Sequence, residues 1–449
     1  MKPIVVREYA RLTTDPSIEI SLDRAYIPQS AFDELCRLSA IRTNGASLLH
    51  LENRRWLRLD NFVGIVETPC GTLLEILPKH TEASGETAIE ASRKLLIKML
   101  EVVLDLPART TDKTDIQTYR RPLQEWVMKE FLLALDHLLK RGLRFDYRRV
   151  EEEQRYLRGR LDMNKQLRQP PGRAHIFNIR HDLFLADRPE NRLLKSALMR
   201  VCGLTQEADT WRLSHELAGL LAEIPHSQNI AADFRQWRSD RLMAHYQPVR
   251  PWCELVLGQH MPLAMRGKTH GISLLFPMEK LFERYVEVQL RRLLPDSYTL
   301  KAQAASQSLC THQGKSLFQL RPDLLIQSSQ KTELVLDTKW KLLSAADSEN
   351  KYGLSQSDFY QMFAYGHNYL SGEGDMILIY PKTENFSTAL EPFKFSEKLR
   401  LWVTPFDLEN DVMHWPDDLK PSIFAQYDLP ANEASWPKAD SNKKPWLSE

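Results

Sequence analysis

Five cysteines are all that 449 residues carry, and Cys36, Cys70, Cys202, Cys253 and Cys310 are scattered with no paired spacing. That excludes a disulfide or zinc framework as the organising principle and fits reduced thiols in a cytoplasmic protein. No apolar run reaches the length of a bilayer span, so no membrane partner is expected, and the opening residues 1–7 (MKPIVVR) are too brief for a signal peptide. An excess of either charge is missing too. With 60 Lys and Arg against 59 Asp and Glu, the net charge is +1. The chain as a whole is therefore no electrostatic magnet for DNA, and any DNA-binding face must be local.

Several catalytic signatures are also absent. Gly267-Lys268-Thr269 looks like the end of a phosphate-binding loop, but Pro262 stands where the first glycine is needed. No nucleotide-hydrolysing motor is visible. The 13 histidines show no metal-ligand spacing, and no Gly-x-Ser-x-Gly elbow occurs. There are no internal repeats and no low-complexity tracts.

What is present is a pair of apolar runs bearing acids. Residues 318–326 (FQLRPDLLI) and 333–340 (ELVLDTKW) flank the polar stretch 327–332, which reads as a hairpin turn. If the hairpin folds symmetrically about Gln330, Asp323 lies opposite Asp337, with Cβ atoms roughly 5 Å apart. A bulge in the turn would shift that register. Strand alternation places Lys339 on the face of Asp337. Two acids and a lysine on one face suit phosphodiester hydrolysis. The acids would hold Mg²⁺, which polarises the phosphate, while the lysine orients or deprotonates the attacking water. An acid-x-Lys triplet alone carries little weight: Glu349-Asn350-Lys351 matches it in a loop-like stretch, and an edge strand with ordinary surface charges explains the hairpin equally well.

The flanking segments tip the balance. Residues 276–290 (FPMEKLFERYVEVQL) have apolar side chains at helical spacing with Pro277 near the start, so Glu283 can project toward the hairpin. Residues 357–365 form a second amphipathic helix, with Gln361 and Tyr365 one turn apart on one face. A buried-looking strand, 376–381 (MILIYP), follows. Helix, hairpin, helix, strand is the order of the PD-(D/E)XK nuclease core, and Gln361-x-x-x-Tyr365 resembles the additional motif of its RecB-like branch.

A wider resemblance runs along most of the chain. Residues 61–66 (NFVGIV), 74–79 (LEILPK), 156–162 (YLRGRLD), 190–195 (ENRLLK) and 278–286 (MEKLFERYV) all take part. Together with Arg321-Pro322-Asp323, residues 337–340 (DTKW), the Gln361/Tyr365 pair and residues 379–381 (IYP), they resemble the McrC family, the nuclease subunit of McrBC modification-dependent restriction systems. Family members often carry an acid just before the Met of the MxKLFE run, and here that place is Pro277, a departure at helix entry. The resemblance implies that Asp323 and Asp337 bind Mg²⁺ with the Thr338 carbonyl as a further ligand. It also implies that Lys339 positions the water, Glu283 supports metal or water, and Gln361 and Tyr365 contact the scissile backbone or brace the site. It implies as partners DNA and a hexameric McrB-like, GTP-driven AAA+ subunit, whose GTPase this chain would stimulate through its N-terminal half.

The expected fold class is α/β, α+β overall, with a C-terminal PD-(D/E)XK core of mixed sheet flanked by helices. Ahead of it stand a β-rich domain (1–85) and a mainly helical middle region (86–265); the nuclease domain takes 266–430 and a loose polar tail 431–449. Within the middle region, Arg141, Arg144, Arg148, Arg149, Arg155, Arg158 and Arg160 mix with Tyr147 and Tyr156. This stretch suits phosphate contact or partner docking, although Glu151, Glu152 and Glu153 in its midst favour a solvated surface. Two rival functions share the hairpin: a stand-alone RecB-like repair or recombination nuclease, and a non-cutting structural activator of a motor.

Overall fold

The computed structural model describes residues 3–39, 48–53, 55–81, 83, 85–106, 117–258, 274–328, 331–416 and 419. The tail expected at 431–449 and the Gly267-Lys268-Thr269 segment lie outside the described residues. Helices and strands alternate in mixed sheets, so the class is mixed α/β as the periodicities indicate.

Short apolar runs with turn punctuation open the chain: β1 (Ile4–Arg7), β2 (Arg11–Thr13), β3 (Arg24–Tyr26), then helix α1 (Gln29–Ser39). Next come β4 (Leu49–Asn53), β5 (Trp56–Leu59), β6 (Phe62–Glu67) and β7 (Leu73–Leu77). β6 and β7 form a hairpin closed at Gly71, whose φ of +83° favours glycine. Helix α2 (Glu86–Val103) and the short α3 (Gln117–Arg120) follow. The buried Arg93 of α2 grips Glu75 of β7 through two bonds of 2.9 and 2.6 Å, and Glu75 also accepts from the Leu123 backbone N–H.

Helix α4 (Leu123–Arg141) buries Trp126, Phe131, Leu135 and Leu138 along one face. Beyond it lie β8 (Asp146–Gln154), β9 (Arg160–Leu161), α5 (Met163–Leu167) and β10 (Phe177–Leu185). These strands make a sheet in the order β8-β10-β9. Gly159 makes the entry to β9 possible: its φ is +70°, and a Cβ there would sit 2.5 Å from the Arg180 carbonyl oxygen. Helices α6 (Pro189–Leu204), α7 (Ala208–Leu220), α8 (Ile230–Gln236) and α9 (Arg250–Val256) complete this part.

The remainder contains β11 (Leu274–Pro277), α10 (Met278–Leu293), β12 (Tyr298–Ala302), β13 (Gln307–His312) and β14 (Lys315–Leu320). It continues through β15 (Leu324–Ser328), β16 (Lys331–Thr338), α11 (Gln356–Tyr369), β17 (Gly374–Pro381), β18 (Phe393–Lys394), β19 (Leu399–Asp407) and β20 (Val412–Met413). The main sheet runs β12-β15-β16-β17-β19-β18, with β20 on β19. β16, β17 and β19 are mutually parallel, and residues 376–380 of β17 are all buried, as a central strand covered on both faces requires.

One expectation is corrected here. The run 318–326 is not one strand: it breaks at Arg321-Pro322-Asp323, so β14 pairs with β13 and only β15 joins β16. A proline lacks the N–H that a central ladder needs. By its contacts the chain divides into two compact units. Residues 1–123 cluster with 261–449, and 124–260 form a second unit. The cause is β11, which pairs with β6 and places Leu275 in the amino-terminal core beside Val6, Phe62 and Ile76. Gly64 permits that pairing, since a Cβ at its φ of +126° would lie 2.0 Å from the Leu274 carbonyl oxygen. Helix α2 belongs to this unit as well, packing against α10.

Candidate active site

The site is built at the carboxyl-terminal end of β16, where the strand leaves the middle of the sheet. Asp337 is 1% exposed. Lys339, two residues on, places its Nζ 2.5 Å from Asp337 Oδ2, so alternation does put them on one face. The register Leu324↔Leu336 carries Asp323, one residue before β15, to the position across from Asp337. A bulge between Ile326 and Gln327 absorbs the odd residue near the turn, and the symmetry about Gln330 survives on the far side of it.

Around this pair stands a continuous polar network. Asp323 Oδ2 accepts from both the N–H and the hydroxyl of Thr338, each at 2.8 Å. Gln303, just after β12, donates its amide to Glu283 of α10 and, at 3.2 Å, to Asp323 Oδ1. From α11, Gln361 accepts from Lys339 at 3.4 Å and donates to the Tyr365 hydroxyl at 2.7 Å. Tyr365 in turn donates to the Arg321 carbonyl at 2.8 Å. The structure thus brings together Glu283, Asp323, Asp337, Thr338, Lys339, Gln361 and Tyr365. A Cβ on Gly366 of α11 would sit 2.8 Å from the Met376 sulfur, so the helix packs closely on β17 there.

Sequence reasoning missed Gln303 and Asp358. Gln303 links Glu283 to Asp323 but occupies a loop without periodicity or motif. Asp358, in the first turn of α11, lies near enough to add negative potential at Asp337 and Lys339. Its signal was available, since it sits one helical turn before Gln361.

The electrostatics are those of an anionic pocket short of positive charge. Burial pushes the Glu283 carboxyl up, and the Asp323 charge adds to it. The same two causes push Asp337 up. Asp323 rises through burial as well, against the opposing pull of its Thr338 bonds. Burial disfavours the Lys339 ammonium, yet Asp337 outweighs it and holds the amine more firmly protonated than usual. One ammonium does not balance this set. Asp337 Oδ1, moreover, is buried with no hydrogen-bond partner.

These features fit a hard divalent cation. Mg²⁺ takes oxygen ligands and is commonly bound through only one or two carboxylates, keeping water in its other positions. Among the described residues no group of three His, Cys, Asp or Glu side chains gathers at metal-holding distances.

A sequence profile described as "McrBC 5-methylcytosine restriction system component" matches residues 57–381. The chain belongs to that family. The matched span takes in β6, the 124–260 unit and the site from Glu283 to Tyr365. No curated protein sequence matches the chain. Among solved structures, one chain from the tetradecameric assembly of Thermococcus gammatolerans McrB AAA+ hexamers with bound McrC is similar, with TM-score 0.68 and 18% identity. The match covers 90% of this chain and 95% of that one, which establishes a shared fold over nearly the whole length. A second, from the Thermococcus gammatolerans McrBC complex, has TM-score 0.49 and 19% identity over 65% of this chain and 88% of that one.

Outside the site, the arginine-rich stretch runs from the end of α4 (Arg141) through β8 (Arg148, Arg149) and the loop after it to β9 (Arg160). Arg149 faces Asp182 at 3.5 Å, and Glu151 pairs with Lys165 and Arg180, so part of its charge is met on the surface. Aromatic rings are exposed at the start of the same sheet: Phe184 stacks on Phe145 with centroids 5.0 Å apart and meets Tyr147 at a tilt, 4.9 Å away. No disulfide joins any of the five cysteines, and no helix among the described residues is long and apolar enough to cross a membrane.

Proposed function

We propose that this chain is the DNA-cutting subunit of a McrBC-type restriction system, a Mg²⁺-dependent phosphodiester hydrolase in the cytoplasm. The observation that carries the reading is the convergence of Asp323, Asp337 and Lys339 at the end of β16, with a buried Asp337 oxygen that has no partner. Mg²⁺ held by Asp323, Asp337 and the Thr338 carbonyl would supply Lewis acidity at the phosphate. The chain's own residues do the rest. Lys339, its ammonium favoured by Asp337, orients the water and offsets charge on the phosphate instead of taking the proton. Gln361 fixes Lys339, and Tyr365 fixes Gln361 against the Arg321 carbonyl, which supports bracing over substrate contact for that pair. Glu283 acts through Gln303, which holds Asp323 in place.

Family membership supports the partner assignment: a McrB-like AAA+ GTPase hexamer that selects modified DNA, and whose GTPase this chain stimulates. The exposed aromatic and arginine face of the β8-β10-β9 sheet is the docking surface we assign to it, because aromatic side chains and arginine are enriched at protein interfaces. The test is a plasmid assay with methylated and unmethylated DNA, with and without the partner, GTP and Mg²⁺. Cleavage is expected only with all of them present and is lost on adding EDTA. Methylation-selective cutting by the isolated chain would place recognition here instead of in the partner.

A further inference from the structure

Beside the site stands an element that its chemistry does not use. β13 and β14 form a two-stranded sheet of their own, closed by Gln313 and Gly314 at φ +49° and +75°, the signs of a type I′ turn. Both faces are open to solvent, and six-residue strands give the ribbon a reach of roughly 20 Å. A lone hairpin is marginal in water, yet this one leaves apolar side chains uncovered: Leu309 is 52% exposed, Leu317 40% and Phe318 72%. The pairs Ser308↔Gln319 and Cys310↔Leu317 bracket Leu309 and Phe318. Phe318 also holds φ +56°, a left-handed backbone that a bulky residue adopts only at a cost.

Charge on the ribbon is one-sided. The 26 residues from Ser297 to Pro322 contain no Asp or Glu, in a chain where 59 of 449 residues are acidic, while Lys301, His312, Lys315 and Arg321 fall within them. The neck is anchored in the site. Gln303 joins Glu283 and Asp323 at one end, and the Tyr365 hydroxyl holds the Arg321 carbonyl at the other. The Tyr369 hydroxyl lies 2.8 Å from the Ala304 carbonyl oxygen and 3.0 Å from that of Leu320, bridging the two strands' roots.

We infer that the β13–β14 ribbon is the chain's own grip on duplex DNA. It lies in the major groove next to the scissile phosphate, a groove wide enough for a two-stranded ribbon. Phe318 and Leu309 press on base edges, and Lys315 and His312 at the tip meet the backbone. An acid-free surface is what a polyanion selects, and the rigid neck turns a hold on the groove into register at the carboxylates. The inference rests on the nuclease reading for its purpose but is measured without cleavage.

The probe is a labelled short duplex, titrated at low salt with full-length protein carrying Asp337→Asn, followed by anisotropy. Adding Phe318→Gly is expected to weaken binding about tenfold, in the range of one lost aromatic–base contact. The melting temperature should hold or rise, because glycine suits the left-handed backbone. Lys315→Glu should weaken binding and flatten its salt dependence. A photo-crosslinking residue at 318 should capture DNA. The inference is overturned if Phe318→Gly binds the duplex like its parent, if the parent has no measurable affinity, or if the crosslink captures protein instead of DNA. Cleavage measured in parallel with the partner separates the two readings. A ribbon variant that binds and cuts like wild type removes only the ribbon, whereas lost binding in a protein that never cuts removes only the nuclease.

Discussion

Glu283 illustrates how a single side chain can be costly to the fold and still be kept. Burial and the Asp323 charge push its carboxyl up, so its ionised form is held at a free-energy cost. Glu283→Gln keeps an oxygen for Gln303 and removes the charge. We expect its melting temperature at neutral pH to rise while cleavage falls about tenfold to a hundredfold, the trade common at functional sites. A lower melting temperature would show that the carboxylate supports the fold. At this scale the sequence was most legible where periodicity was strict: strand alternation is enough to align Asp337 with Lys339, and helical spacing aligns Gln361 with Tyr365. Gln303 escaped because a loop residue's partners are set by three separate elements. The Arg321 contribution escaped for another reason: it acts through its carbonyl, which any residue could provide.

Single glycines decide how the elements join. Gly64 has β7 on one side and β11 on the other, and its missing Cβ leaves room for the Leu274 carbonyl. Gly64→Ala should therefore destabilise the protein by at least about 3 kcal/mol, through clash and a φ closed to alanine. Chemical denaturation checks this; a loss within experimental error would mean the β6–β11 pairing is not as described. Helices α10 and α11 were readable because their apolar residues recur at helical spacing. The break between β14 and β15 was signalled by Pro322, yet the apolar run across it looked continuous. Hydropathy does not distinguish one long strand from two short ones that turn into different sheets.

Across the whole molecule, the amino-terminal strands and the carboxyl-terminal sheet belong to one compact unit, which no local signal could announce because β6 and β11 are about two hundred residues apart. A fragment ending at residue 257 keeps the amino-terminal strands but loses β11 and α10. It should melt well below the full chain and expose the core around Phe62 and Ile76, as hydrogen exchange would report; full-length stability in that fragment would contradict the shared core. Glu8 provides a second check. Fully buried, it accepts from the Lys79 N–H and the Trp340 indole, both at 2.7 Å, and Trp340 follows the candidate catalytic lysine. Burial, opposed by those two bonds, pushes its carboxyl up to about 7. The native state thus binds the proton more tightly than the unfolded chain. The resulting stability is complete below the ordinary carboxylate range and is lost as pH rises toward about 7. Glu8→Gln should flatten this decline, giving a higher melting temperature than wild type at about pH 8 and little difference at about pH 4. An unchanged pH profile would refute the assignment. The nuclease assignment itself is tested most directly by plasmid cleavage with the AAA+ partner, GTP and Mg²⁺, comparing wild type with Asp337→Ala and Lys339→Ala of verified fold and normal GTPase stimulation. Cutting by wild type alone is the expected result; cutting by either variant at the wild-type rate would contradict it.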